Sequence, residues 1–431
     1  MASQHRQFLQ SLSVSVGMAF ATSCFAMVAG MASAAGALVL PAIALSALIG
    51  LAVAHAIGRL AKRFPSALGI RTYLKAAFGN TASLFFVFLY LLMIGLIAGA
   101  ESNMYAGIVA QVFPDLDARL VIAAIFAVVI AMNVSGYEFS KHAQLVMVAL
   151  MLGGVFALSL YAIAHGDFAP LRATITAQQF AAAPTAIVSA FFLFVGFEWV
   201  TSAQSSSRSA AKQLPWVLLA SILLLGCVYL LFSLGAMANL SQAEWASSDK
   251  PQMLLAAKLW GTGGTWFMLA MSTCAVLTAF NAGVLGAARL LYALAREGVL
   301  PKLLGTTARF SGAPVWAIAA TAMLSLLSAQ LAHLLHNTYL LGSIAAVIIC
   351  LCYCALLAAS LKLHRQPRPT PGQAIEALAL LAMAGLLGAL LFQPGGERQS
   401  AIALAAVAAV FALAALANRR APRAPLPLSR A

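Results

Sequence analysis

Long apolar runs alternate with short polar gaps from one end of the chain to the other. The runs are apolar on every face rather than at every second position, so they do not read as the strands of a β-barrel. A helix needs about 20 mostly apolar residues to cross a bilayer, and about twelve stretches meet that need. They are 12–34, 38–58, 82–112, 118–136, 143–164, 184–205, 214–238, 266–294, 314–334, 339–361, 375–393 and 400–417. No gap is long enough for a separately folded domain. The pattern predicts an all-α polytopic membrane protein with a single transmembrane domain over 1–418. The remaining tail, 419–431, is basic and Pro-rich and is expected to be disordered.

Composition agrees. Of 431 residues, 63% are hydrophobic and 8% charged, with a mean hydropathy of +0.95. Soluble domains carry roughly 25% charged residues. The net charge of +14 does not indicate nucleic acid, because the charges sit in the gaps between spans. With both termini inside, cytoplasmic segments hold 20 of the 25 Lys and Arg, a strong positive-inside asymmetry. The expected location is the cytoplasmic membrane, and the bilayer is the expected surrounding partner. The run after Arg6 and the stretch Met31–Ala37 are read as part of an uncleaved first helix with a turn near Gly36–Pro41. All six cysteines fall inside apolar runs and read as small buried hydrophobes. The segment Arg59–Gly79 is basic and amphipathic, and is expected to be a loop helix lying on anionic lipid.

Two acids fall well inside spans: Glu101 and Glu198. A charge at the bilayer centre costs about 2.5–3.5 kcal/mol, so such a residue faces protein or a water-filled path. In FFLFVGFEWVTSAQ (Phe191–Gln204), Gly196 stands two residues before Glu198. Glycine weakens a helix interior. A break near Phe194–Gly196 would free backbone groups at mid-membrane, which is tolerated only where they line a cavity or are packed in protein. Broken helices of this kind build transporter sites. The first span offers a counterpart in Ala21, Thr22, Ser23 and Cys24, where small and hydroxyl residues follow Gly17. Phe194 and its aromatic neighbours supply apolar walls and cation–π faces.

Three stretches resemble the amino acid–polyamine–organocation (APC) superfamily of permeases. FFLFVGFEWVTSAQSSSRSAAKQLPWVL resembles its sixth helix with the following loop and Pro. NAGVLGAARLLYALAREGVLPKLL (Asn281–Leu304) resembles its eighth helix and loop, and RLAKRFPSALGIRTYLKAAFG the loop after helix two. The resemblance covers essentially the whole chain. It implies a leucine-transporter-like core of two inverted five-helix repeats, about 12–164 and 184–361. Two extra C-terminal helices, about 375–417, would follow. It also implies alternating access around discontinuous helices one and six.

The chain departs from the family pattern at points that bear on substrate. The usual Gly-Ser-Gly of helix one is Ala21, Thr22 and Ser23, and the acids after helix six are replaced by Gln204 and Ser205. The substrate-binding candidates are Ala21, Thr22, Ser23, Cys24, Glu101, Phe194, Gly196 and Glu198. Glu198 and Glu101 are also candidates for proton coupling. Ser272 and Thr273 resemble a sodium-site hydroxyl pair, although back-bonded helix hydroxyls would look the same. The sequence carries no recognisable nucleotide loop, metal cluster or hydrolase triad, so neither an enzyme nor a cofactor is expected. The leading expectation is a secondary transporter of amino acids, coupled to H+ or Na+ or working by exchange. The alternatives are an amine or polyamine carrier, and a membrane sensor or complex subunit that transports nothing.

Overall fold

The computed structural model describes residues 2–66, 68–169, 175–203, 208–248, 250–335, 338–368, 370–393 and 396–420. Most of the Pro-rich tail, together with Ala67, Gln204 and Ser205, lies outside them. Sixteen α-helices follow in order among the described residues. They are α1 (Ala2–Ala19), α2 (Ser23–Ala35), α3 (Val39–Arg63), α4 (Ile70–Phe78), α5 (Asn80–Val109), α6 (Ala118–Val134), α7 (Tyr137–Ala164) and α8 (Ala177–Phe192). Then come α9 (Val200–Ala203), α10 (Arg208–Met237), α11 (Gln242–Ser247), α12 (Pro251–Arg296), α13 (Val315–Leu335), α14 (Thr338–Leu363), α15 (Pro371–Leu391) and α16 (Glu397–Arg420).

Among the described residues, ten helical stretches are long and apolar enough to cross a membrane. The 17-residue α6 adds one pass, and the turn at Gly36–Leu38 divides one 41-residue stretch into two, bringing the passes to twelve. Gly36 takes φ +54°, in the left-handed region where glycine is at home. This is the turn expected near Gly36–Pro41. Two boundaries differ from the expected ones by about ten residues or more, and the others by several residues at most. The first pass begins with α1 at Ala2 rather than near 12, because the polar residues around His5 and Arg6 continue the helix beyond the apolar run. The eighth pass begins near Pro251, not 266. Pro at the first helical position opens that segment, and Gly261 (φ +59°) kinks it instead of ending it.

The passes pack through small residues. A Cβ on Gly99 of α5 would lie 2.8 Å from the backbone of Ser328 on α13, so glycine sets how closely these helices approach. α3 lies against α10, α5 against α13 and α14, and α12 against α7 and α6. α1 packs on α10, α7 and α12, while α8 packs on α3 and α2. α15 and α16 add at the periphery, against α14, α3 and α5.

One end of the bundle is basic, and there the structure corrects the reading of the loop after the second pass. α4 does not lie free on lipid. It buries Ile70, Arg71, Tyr73, Leu74 and Ala77 against the protein, packing on α5 and α14. Its apolar face finds helices before it finds lipid. Arg71, 1% exposed, donates to Glu297 at 2.6 Å, Asn80 at 2.9 Å and Ser83 at 3.1 Å. Arg71 and Glu297 come from two of the three stretches that carry the family resemblance, and the guanidinium ties them together. Hydrogen bonds to charged groups contribute about 1.5–3 kcal/mol. Glu297 is one-third exposed, so Glu297→Gln is expected to cost about 1.5 kcal/mol. It should appear as a lowered Tm in detergent. An unchanged Tm would show that the pair adds nothing.

At the opposite end, Ser241 and Glu244 form a capping box that starts α11. The Lys258 ammonium bridges Glu244 at 2.9 Å and, with the Ser241 cap, holds its carboxyl down at about 2. A carboxyl lowered by folding stabilises the protein above its unfolded value of about 4.3. That contribution is lost as pH falls from about 4 toward 2. Both partners are one-third to one-half exposed, so solvent screening keeps the effect below about 1 kcal/mol. Thermal melts of the unmodified protein and Glu244→Gln should therefore converge below pH 3 and differ slightly at pH 7. A difference that grows on acidification would contradict this.

Candidate functional site

Two passes are broken side by side in the middle of the bundle. In the first, α1 ends at Ala19 and α2 starts at Ser23. The released carbonyl of Ala19 accepts from the Tyr229 hydroxyl at 3.4 Å and the Cys24 thiol at 3.6 Å. Phe20 stacks on Tyr229 with ring centroids 5.4 Å apart. The sixth pass breaks after α8. Leu193, Phe194 and Val195 turn tightly with i to i−3 hydrogen bonds. Gly196 then takes φ +105°, and a single 3-10 turn, Phe197–Trp199, leads into α9. A Cβ on Gly196 would lie 3.0 Å from Met18 Cγ and 3.2 Å from the Met18 carbonyl. Glycine is needed here twice, for the left-handed φ and for the approach to α1. The Ser15 hydroxyl seals the junction by donating to the Phe197 carbonyl at 2.6 Å.

The two acids serve the two breaks. Glu101, from the last third of α5, accepts the Thr22 N–H at 2.5 Å and the Ser23 N–H at 3.2 Å on each oxygen. The Thr22 hydroxyl donates to it as well. The carboxylate therefore sits on the start of α2, where unpaired amides and the helix dipole favour an anion. Glu198 lies within its own break. It accepts the Gly196 N–H at 3.2 Å, the Tyr90 hydroxyl at 3.3 Å and the Tyr353 hydroxyl. Both acids are at most 1% exposed.

A small cavity of about 30 Å³ adjoins the first break. Met18, Ala21, Ile94, Ile97, Ala98, Phe126, Phe280, Gly283 and Val284 line it, with Glu101 and Ser325 as its polar groups. Ala21 and Glu101 are the two sequence candidates on this wall. Thr22 and Ser23 are held behind it by Glu101. Cys24 and Phe194 pack around Tyr229, with Phe194 edge-on at 6.0 Å. Ser272 and Thr273 are not brought to a common partner. Thr273 bonds back to the Leu269 carbonyl at 2.8 Å and meets the Tyr105 hydroxyl at 2.6 Å. The buried Ser272 hydroxyl has no partner among the described residues.

Three groups escaped the sequence reading. Tyr90 and Tyr353, the donors to Glu198, sit in apolar runs where a tyrosine reads as packing. A buried amide cluster joins α6, α7 and α12. Asn281 accepts from Asn133 at 2.9 Å and from Ser140 at 2.8 Å, and donates to Gln144 at 2.9 Å. Gln144 in turn donates to the Thr278 carbonyl at 3.0 Å. Finally, Glu376 is a third fully buried acid, paired with Arg59 at 3.1 Å. The stretch opening at Asn281 also gains a physical meaning. Ala282 accepts the Trp199 indole N–H at 3.0 Å, and a Cβ on Gly286 would lie 2.2 Å from that nitrogen.

The comparisons match this architecture. A crystal structure of the Eremococcus coleocola manganese transporter superposes with a TM-score of 0.64 over 96% of this chain and 94% of its own, at 11% identity. That likeness speaks for the fold alone. The uncharacterized amino acid permease YecA of Bacillus subtilis is 26% identical over 71% of this chain and 73% of its own. The aromatic amino acid transport protein AroP of Corynebacterium glutamicum is 27% identical, covering 63% of this chain and 62% of its own. The low-affinity putrescine importer PlaP of Escherichia coli is 24% identical, covering 61% and 59%. Residues 7–419 match the sequence profile of a family described as "Amino acid permease". A twelve-pass helical bundle with two adjacent broken passes, matched to that profile over nearly its whole length, is a membrane transporter, and the chain belongs to the amino acid permease family.

Proposed function

We propose that this protein is a secondary active transporter of amino acids or related amines, working by alternating access around the breaks at 20–22 and 193–199. The observation that carries the reading is that the two acids deepest in the spans each occupy one of two touching helix breaks. Irregular backbone at mid-membrane is a liability unless it serves a path or is packed in protein, and discontinuous helices at the midplane are how secondary transporters build sites. AroP and PlaP are named for an aromatic amino acid and for putrescine. Both solutes carry an ammonium, which buried carboxylates suit.

The packing pattern supports two five-pass repeats. Exchanging each of passes one to five for its counterpart in six to ten carries several neighbours into neighbours. The α5–α14 pair becomes α12–α7, and α3–α8 becomes α10–α1. Coupling is to protons through Glu198, which is held by two phenols rather than lining the cavity. The basic end of the bundle, with both termini, faces the cytoplasm of a cell whose plasma membrane the protein spans. Labelling of a cysteine placed at Ser66 by an impermeant reagent from outside would overturn that orientation.

The direct test is uptake and counterflow in proteoliposomes, over a panel of amino acids and amines. Saturable counterflow of at least one such solute is expected. Its absence across the panel would favour a membrane sensor or complex subunit.

A further inference from the structure

The start of a helix is an anion site, because its first N–H groups lack intrahelical partners. At α2 this site is already filled. Thr22 and Ser23 give their N–H groups to Glu101. The next two, on Cys24 and Phe25, bond to the carbonyls of Ala21 at 3.2 Å and Thr22 at 3.3 Å. The four amides that start α2 are therefore all taken. The residues lining the adjoining cavity include no Lys, Arg or His. A solute carboxylate brought there would meet apolar walls and a buried like charge, with one hydroxyl, that of Ser325, to offset its desolvation.

A cation would find the opposite. Glu101 offers a carboxylate that lines the cavity while helix amides hold it in place. Ser325, 1% exposed, lines the same cavity, and its hydroxyl has no hydrogen-bond partner among the described residues. An unpaired buried hydroxyl is costly unless something comes to it. Phe126 and Phe280 are stacked at 5.1 Å on the cavity wall and add aromatic surface for a cation.

From this geometry we infer that Glu101 is a built-in carboxylate, standing where a solute carboxylate would otherwise dock. The transported solute is accordingly an ammonium without an α-carboxylate, received by Glu101 and Ser325. The inference rests on the transporter reading above and narrows its substrate class. It also makes Glu101 a specificity-determining residue. Removing its side chain would free the Thr22 and Ser23 amides for a carboxylate from outside.

The test is ligand-induced thermal stabilisation of the purified full-length protein in detergent, which needs no transport. Each amino acid is paired with its decarboxylated amine: phenylalanine with phenethylamine, ornithine with putrescine, lysine with cadaverine. At least one amine should stabilise the protein at a concentration at least tenfold below that of its parent amino acid. In Glu101→Ala the preference should narrow or reverse. Added acetate, entering the vacated seat, should restore amine binding to that variant. A tenfold preference for the amino acid in the unmodified protein would overturn the inference and leave the transporter reading standing. Stabilisation by neither class would overturn both. If Glu101→Ala does not fold, the paired panel on the unmodified protein still decides.

Discussion

Gly196→Ala is expected to abolish transport, with counterflow falling at least a hundredfold, while the protein still inserts and purifies. Two costs fall on one atom. Alanine must hold φ +105°, and a non-glycine residue in so sparsely populated a region costs about 1–3 kcal/mol. Its Cβ would also sit 3.0–3.3 Å from the Met18 side chain, carbonyl oxygen and carbonyl carbon. Overpacking of a tight site costs about 1–3 kcal/mol more. The strain can be relieved by moving α1 away from the sixth pass, but that contact is where the two breaks meet. Met18→Ala added to Gly196→Ala removes the side-chain contact and leaves the backbone conflict and the φ strain. The double variant should therefore recover only part of the rate. Size-exclusion profile and Tm separate a folded, inactive protein from an unfolded one. A folded Gly196→Ala with unchanged counterflow would show that the break has no role in the transport cycle.

The break in the sixth pass was legible because its cause is local. A glycine and an acid two residues apart in an apolar run announce it, and Gly196 and Glu198 are where the helix opens. The first break was visible only in its small and hydroxyl residues, because nothing near Thr22 reveals what satisfies its amide. The partner, Glu101, lies 79 residues away. Non-local pairing of this kind leaves no periodicity to read. The same holds for Tyr353, 155 residues from Glu198. The covering of the segment Arg59–Gly79 is illegible for a related reason. A basic amphipathic segment looks the same whether lipid or protein covers its apolar face, and only the position of Glu297 decides. The apolar run marks the eighth pass only from 266, because Lys258 and the glycines at 261, 263 and 264 carry the signature of a loop. The helix instead takes the kink at Gly261 and keeps Lys258 for Glu244.

The second large effect concerns Glu198, where two substitutions should part company. Glu198→Ala removes the acceptor of two phenol hydroxyls and one backbone N–H. Each buried donor left unpaired costs about 1–3 kcal/mol. With three of them, the break cannot keep its shape, and all transport should be lost. Glu198→Gln retains an acceptor oxygen and nearly the same volume, so the tyrosines and Gly196 stay in place. What it loses is the group able to carry a proton. The expected outcome is that Glu198→Gln keeps exchange of the same solute across the membrane within a fewfold of the unmodified rate. Accumulation driven by a pH gradient should vanish. Tyr353→Phe, which keeps the carboxyl but removes one donor, should retain accumulation and shift its pH dependence. The division of labour with Glu101 makes the test sharp. Glu101 lines the cavity and Glu198 does not, so altering Glu198 should leave the half-saturation concentration for exchange near its starting value. If Glu198→Gln raises that concentration more than tenfold and weakens both modes together, Glu198 meets the solute directly and proton coupling must be sought elsewhere. If both modes are unchanged, its carboxylate only holds the break together, as the three donors around it already suffice to do.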